Sequence, residues 1–251
     1  MTNLLIPDSE TGRRLVFFLS MEEYAADHLS SIAPEGAFFI WQVDPTVIFG
    51  RNQDMKAEVD VEFCKSRNIA MYRRKSGGGC VFADRGNIMI SYIKPCTDVS
   101  ALFSEFLGRL AAFLRHLGID AQVSGRNDVL VDGRKVSGNA FSLRPSGSGI
   151  VHGTFLYNLD FDTMSRALTP SRAKLESKGV QSVSQRVMNL KPLLDAAGLG
   201  LEELKAELVN WFCDASVTLD PAQLEAVSAI EKEYLDPSFI AGRIGVSDDS
   251  L

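Results

Sequence analysis

Hydrophobic and polar positions along the chain alternate with periods that predict a succession of helices and short strands. Residues 15–31 carry helix formers with acids among them and predict an amphipathic helix. Two short apolar runs, 37–42 and 46–49, flank the turn-forming pair Asp44-Pro45 and predict a hairpin. A short helix over 60–67 and a strand over 69–74 lead into Ser76-Gly77-Gly78-Gly79, after which Cys80-Val81-Phe82 is again strand-like. Residues 84–87 read as a turn and 88–93 as a strand. In 100–117, Leu102, Phe106, Leu110, Phe113 and Leu117 recur at helical spacing, and Gly118 supplies a stop. Strands over 128–131 and 134–142 meet at Asp132-Gly133, a strong hairpin signal, and 150–158 continues the sheet. Short helices are predicted over 162–168 and 171–176, and longer amphipathic ones over 201–214 and 221–235. No repeat or linker interrupts this order, which predicts a single α+β domain over residues 1–251.

Composition narrows the function classes. At 251 residues, 45% hydrophobic and 23% charged, the chain is large enough to bury a core without staples. A net charge of −6 argues against a nucleic-acid partner, which needs a basic surface, yet leaves room for a local site for one small anion. Cys64, Cys80, Cys96 and Cys213 form no C-x-x-C pair and point to a reducing, cytoplasmic setting. His28, His116 and His152 are too scattered for a dedicated zinc site. No signal peptide precedes residue 15, and no run approaches the ~18 apolar residues of a membrane span.

Two segments carry chemistry. In Arg73-Arg74-Lys75-Ser76-Gly77-Gly78-Gly79, consecutive glycines let backbone N–H groups approach an anion. The plain alternative is a mobile surface turn with solvated basic residues. It is neither a Walker A loop nor a G-x-G-x-x-G helix start; the segment reads as a strand–glycine–strand turn. The second segment, 125–140, holds Lys135 beside Val136 and small residues. Apolar neighbours strengthen the pull of an ammonium on an anion; the alternative is a solvent-facing lysine at a hairpin.

Together, RRKSGGGCVFADRGN and GRNDVLVDGRKVSGNA resemble the lipoate–protein ligase A family, within the wider biotin/lipoate ligase catalytic domain. His152-Gly153-Thr154-Phe155-Leu156, Lys178-Gly179-Val180-Gln181-Ser182-Val183 and Arg186-Val187-Met188-Asn189-Leu190 extend the match, as do Phe39-Ile40-Trp41-Gln42 and Gly50-Arg51-Asn52-Gln53. The resemblance spans about residues 15 to 240. It implies a mixed, largely antiparallel sheet flanked by helices. It also implies activation of lipoate with ATP and Mg2+ to lipoyl-adenylate, followed by lipoyl transfer to a lysine of an acceptor domain. Those acceptors are E2 subunits of 2-oxo acid dehydrogenases or the glycine-cleavage H protein.

By the same resemblance, Lys135 is the catalytic residue, touching acyl carbonyl and phosphate. Arg74 is a phosphate ligand, and Gly79, Cys80, Val81 and Phe82 wrap the adenylate with Ser76, Gly77 and Gly78 beside them. Trp41, Val81 and Phe82 are candidates for an apolar tunnel around the lipoyl tail, and Asn127 and Asp128 for the nucleotide, Asp128 with its magnesium. No resident metal is expected. The chain departs from the family at Ala83, where a histidine is usual, at Val151, and at Cys80, where a small hydrophobe stands. The family's C-terminal accessory domain has no counterpart before Leu251, which leaves three routes open: a separately encoded partner for adenylation, use of preformed lipoyl-adenylate, or adenylation without help. Two other readings stay open: a cysteine-dependent octanoyl or lipoyl transferase, and a non-catalytic subunit that binds lipoate or lipoyl-adenylate. Biotin ligase is weaker, because no G-R-G-R motif occurs.

Overall fold

The computed structural model describes residues 1–7, 12–124, 127–169 and 186–242. The helix expected over 171–176 and the Lys178–Val183 motif lie outside these residues. In chain order the elements begin with β1 (Thr2–Leu5), α1 (Leu15–Asp27), α2 (Leu29–Ile32), β2 (Ala37–Trp41) and β3 (Thr46–Phe49). Next come α3 (Met55–Glu58), α4 (Val61–Ser66), β4 (Ala70–Arg73), β5 (Val81–Ala83), β6 (Asn87–Pro95) and α5 (Val99–His116). The hairpin region holds β7 (Ala121–Val123), β8 (Asp128–Val131), β9 (Arg134–Leu143) and β10 (Ser148–Leu156). The last are α6 (Phe161–Ala167), α7 (Lys191–Ala196), α8 (Leu201–Phe212), β11 (Ala215–Thr218), α9 (Pro221–Tyr234) and α10 (Pro237–Ala241).

An eight-stranded sheet runs in the order β11-β1-β2-β6-β10-β9-β8-β7, and a three-stranded sheet in the order β4-β3-β5. From β2 to β7 the large sheet is antiparallel; only β1 pairs in parallel, with both β2 and β11. The α+β class and the mixed, largely antiparallel sheet are therefore as expected. The hairpin expected across Asp44-Pro45 is not formed. β2 joins the large sheet beside β6, whereas β3 pairs with β4 and β5 in the small one. The turn is there, but each run finds a longer-range partner that buries both of its faces.

One face of the large sheet packs on α5, α7 and α8 around Phe38, Tyr92, Phe106, Phe113, Phe155 and Phe212. Burying side chains of this size contributes roughly 1.5–3 kcal/mol each. Asp98 caps α5 by accepting from Ser100 N and Ala101 N at 2.8 and 3.1 Å, and the helix runs to the expected stop. The other face packs on α1, whose residues Leu15–Ala26 are all buried. A helix buried all round is apolar on most of its circumference, so the adjacent acids Glu22 and Glu23 inside it demand partners. The hairpin at Asp132-Gly133 forms as expected, with φ of 50° and 71° at its two central residues.

Candidate active site

Lys135 owes its direction to a bulge. Val129 pairs with Ser137 and the next residue, Leu130, with Lys135, so Val136 is the extra residue on β9. Such an insertion shifts the alternation of one strand by one position. Lys135 consequently shares a face with Gly138 and Ala140, and its ammonium occupies the space that a Cβ at Gly138 would take. Lys135 Nζ stands 3.1 Å from Asp128 Oδ1, with the lysine side chain 23% exposed. Arg186 pairs with the other Asp128 oxygen.

Residues 187–189 brace this strand. Met188 N donates to Lys135 O at 2.9 Å, and Val187 bridges Lys135 in parallel. Asn189 Nδ2 donates to Leu159 O, and its Oδ1 accepts from Leu159 N, both at 2.9 Å. The Arg186–Leu190 motif thus serves as the wall against which the lysine strand is set.

Across from it lies the glycine loop, stitched by Arg74. Its Nε and Nη2 donate to Gly77 O at 3.1 and 2.8 Å, and Nη2 also donates to Gly79 O at 2.7 Å. Nη1 donates to Ile48 O at 3.4 Å. Burial lowers the Arg74 pKa to about 10, still far above neutrality, so the guanidinium stays charged. Gly78 sits at φ 96°, and a Cβ there would come within 2.8 Å of Arg74 Nη2 and 3.9 Å of the Ala140 Cβ. Among the described residues, the N–H groups of Gly77, Gly78 and Gly79 meet no acceptor. These are donors suited to an anion.

Sheet register shows how the loop and the lysine converge. Ser91, His152 and Ala140 lie side by side on β6, β10 and β9. Two positions along the strands, Met89 pairs with Thr154, whose hydroxyl accepts from Gly138 N at 3.0 Å. The row that carries the Lys135 ammonium is therefore about 7 Å from the row on which the glycine loop rests, at ~3.4 Å per residue. That spacing suits a ligand with an acyl carbonyl joined to a phosphate. Directly opposite Ala140, His152 links the loop to α1. Its Nε2 is 2.9 Å from Ser76 Oγ, and its Nδ1 is 3.0 Å from Glu22 Oε2. The Ser91 hydroxyl donates to Glu22 Oε1 at 2.6 Å, and the Trp41 indole N–H donates to Ser91 Oγ at 2.9 Å.

The basic run before the glycines is turned inward. Arg73 donates to the carbonyls of Phe239 and Ile240 on α10 and to Arg51 and Gln53, and stacks over Phe49. Lys75 Nζ lies 3.0 Å from Glu23 and 2.8 Å from Glu233. Arg74 is engaged by loop carbonyls, so the structure gives it a bracing role where the resemblance implies a phosphate ligand.

Other expected residues separate. Trp41 is fully buried and stacks on Phe18 with ring centroids 4.7 Å apart. Val81 packs on the same core, whereas Phe82 enters the core beneath the small sheet. Alternation along β5 sends Phe82 and Val81 to opposite faces, so these three side chains do not line one tunnel. β5 has β3 as its sole strand partner among the described residues, leaving an edge of N–H and C=O groups beside the loop. Cys80 is half-buried against the core beneath the small sheet. Asn127 Nδ2 donates to Asn139 O at 2.6 Å and Asn139 Nδ2 donates back to Asn127 O at 3.0 Å, a clamp between β8 and β9. Asp128 is buried between Lys135 and Arg186, one oxygen facing each cation. No cluster of three His, Cys, Asp or Glu side chains among the described residues forms a metal site.

Two surface cavities, of about 480 and 520 Å³, lie elsewhere, one beside Arg109 and Trp211 and one between β1 and α8. Sequence reasoning assigned no role to Glu22, Ser91, Gly138 or Arg186, nor to His152 beyond its motif. The legible signal for Glu22 is a pair of acids inside the apolar run LVFFLSMEEYAA.

Comparison with known proteins places the sequence and the fold. The family described as lipoyl protein ligase A/B catalytic domain matches residues 16–213. The chain is 37% identical over 194 residues to the lipoate-protein ligase LplJ of Bacillus subtilis, covering 76% of this chain and 57% of that protein. It is 36% identical over 189 residues to lipoate–protein ligase 1 of Staphylococcus aureus, covering 74% and 56%. The chain thus spans little more than half the length of these curated relatives. Among solved structures, a bi-partite lipoate protein ligase from Thermoplasma acidophilum, described with its E2 lipoyl domain, superposes with a TM-score of 0.81 at 23% identity over 97% of both chains. Fold and motifs converge, and the chain belongs to the lipoyl protein ligase A/B catalytic domain family.

Proposed function

We propose that this chain transfers a lipoyl group, from a lipoyl-adenylate made with ATP, to a lysine of an acceptor domain. The observation that carries the reading is the Lys135 ammonium, aimed by a bulge over Gly138 at the face on which the glycine loop rests. A carboxyl-phosphate anhydride needs positive charge at its carbonyl and N–H donors at its phosphate. Lys135 supplies the first and Gly77–Gly79 the second. When an amine attacks, the carbonyl oxygen gains negative charge, and an ammonium already in place stabilises it without reorganisation. Mg2+, brought with ATP, would neutralise phosphate charge during adenylation.

Acceptor domains of E2 subunits and of the H protein fit this chemistry, because each presents one lysine on a folded domain. The bi-partite relative supports a separate partner for the adenylation step. So does the inward use of Arg73, Arg74 and Lys75, which leaves the described site with few cations for a triphosphate. Four free thiols agree with a cytoplasmic setting, and no helix among the described residues is long and apolar enough to cross a membrane.

A cysteine-dependent transfer is less well supported. Burial raises the pKa of Cys64 and Cys96, and that of Cys213 to about 11, so these thiols are poor sources of thiolate.

The test is a two-donor assay with an apo acceptor domain and a mass readout. Transfer from supplied lipoyl-adenylate is expected, and much slower transfer from lipoate, ATP and Mg2+. Equal rates from both donors would show that the chain adenylates unaided, against the partner proposal. A lipoyl thioester on the enzyme would favour the cysteine route, and silence with both donors would favour a binding subunit.

A further inference from the structure

The hydrogen-bonded series Glu22–His152–Ser76 has no role in the binding chemistry described above. We propose that it is a proton relay that deprotonates the acceptor lysine, with Ser76 as the group that meets the incoming amine. The inference rests on the lipoyl-transfer reading and deepens it.

The direction of each bond follows from its partners. Glu22 Oε1 accepts from the Ser91 hydroxyl, which itself accepts from the Trp41 indole N–H. Held this way, the Glu22 carboxylate accepts from His152 through Nδ1–H. The neutral imidazole then carries its lone pair on Nε2, which accepts the Ser76 hydroxyl proton at 2.9 Å. Ser76 is left with oxygen lone pairs, a poor contact for a carboxylate but a good one for an ammonium. Its backbone opens the glycine loop, on the same sheet face as Lys135 and about two strand positions away.

A lysine acceptor has a pKa near 10.4 and arrives as an ammonium, which has no lone pair for attack. The ammonium passes one proton to Ser76 Oγ while the Ser76 hydroxyl proton moves to His152 Nε2, and Glu22 stabilises the imidazolium. The free amine forms the new C–N bond at the lipoyl carbonyl. The C–O bond to phosphate breaks, and AMP leaves with the electron pair. The second amine proton departs to the AMP phosphate or solvent as the tetrahedral intermediate collapses. Lys135, paired with Asp128 at 3.1 Å, is reserved for the acyl carbonyl.

The surroundings insulate the relay. On α1, Glu23 is matched by Lys75, Arg144 and the Tyr234 hydroxyl, and Asp27 by Arg144. Glu233 on α9 also pairs with Lys75. β6 contributes Ser91, and β9 contributes Ala140 opposite the imidazole. Histidine 152 is therefore the group in this cluster with a proton-accepting atom directed at the loop.

The experiment is single-turnover transfer from preformed lipoyl-adenylate to an apo acceptor domain between pH 7 and 9, for wild type, His152→Gln, Glu22→Gln and Ser76→Ala. General-base assistance is typically worth about 10²–10⁴-fold. We expect His152→Gln to be slowed about 100-fold at pH 7 with unchanged binding of lipoyl-adenylate. Its rate should climb nearly tenfold per pH unit, as the free-amine fraction of the lysine does, so that the defect shrinks towards pH 9. Glu22→Gln should behave likewise but more mildly, and thermal melting identifies any variant that fails to fold. A defect of constant size across the pH range in the folded variants would overturn the relay and leave a structural role. Wild-type rates in His152→Gln would overturn it as well. Absence of transfer by the wild type would overturn the lipoyl reading itself, and the relay with it.

Discussion

The run Arg73-Arg74-Lys75 and the strand around Lys135 are both basic segments beside glycines, yet they use their charge in opposite ways. Every cation of the first is bonded to the protein's own carbonyls or acids, from Gly77 and Gly79 to Glu23, Glu233 and the backbone of α10. Lys135, by contrast, is set by a bulge on the sheet face that carries Gly138 and Ala140, its ammonium paired with Asp128 and engaged with none of the loop carbonyls that hold Arg73 and Arg74. The difference teaches that a cluster of positive residues in sequence says little about anion binding. What matters is whether backbone carbonyls, which every loop must satisfy, have first claim on the donors.

Breaking the first region should be the larger structural effect. Arg74→Ala removes charge-assisted bonds to Gly77, Gly79 and Ile48, each worth about 1.5–3 kcal/mol, and takes the guanidinium from the buried Ile48 carbonyl. A loss of about 3–5 kcal/mol is expected, read as a fall in the denaturant midpoint. Arg74→Lys should recover only part of it, because an ammonium cannot span three carbonyls in a planar fork.

A smaller effect comes from Asp27 on α1. Burial pushes its pKa up, but hydrogen bonds and charge from Arg144, with Ser146 and His28, outweigh that and leave it lowered. A lowered carboxyl contributes stability above its unfolded value of 3.8, which is lost as pH falls through the folded value. Wild type should therefore exceed Asp27→Asn in stability at pH 6, with the gap closing below pH 3. Denaturant unfolding at the two pH values checks the sign, and a gap that widens in acid would refute it.

Local signals made part of this legible. The helical spacing of Leu102, Phe106 and Leu110 and the Asp132-Gly133 turn each specify an element without reference to the rest of the chain. The strands β1 and β11 were not legible: each is four residues long, β11 is wholly exposed, and their pairing is parallel across the length of the chain. The mistaken hairpin at Asp44-Pro45 has the same origin, since periodicity marks a strand but not its partner. At the candidate site, motif order put Lys135 and the glycines forward. The bulge at Val136, the inward turn of Arg74 and the link from Glu22 to Ser76 depend on tertiary register, which spacing does not encode.

The contrast between the two regions is tested most directly by Lys135→Ala, assayed for single-turnover transfer from preformed lipoyl-adenylate alongside its melting curve. Asp128 keeps Arg186 as a partner in the variant, so the fold has no buried orphan charge to contend with. Removing one electrostatic stabiliser of a developing oxyanion typically costs about 10²–10³-fold. The account predicts a loss of that size with melting unchanged. Transfer at the wild-type rate by a folded Lys135→Ala would contradict it.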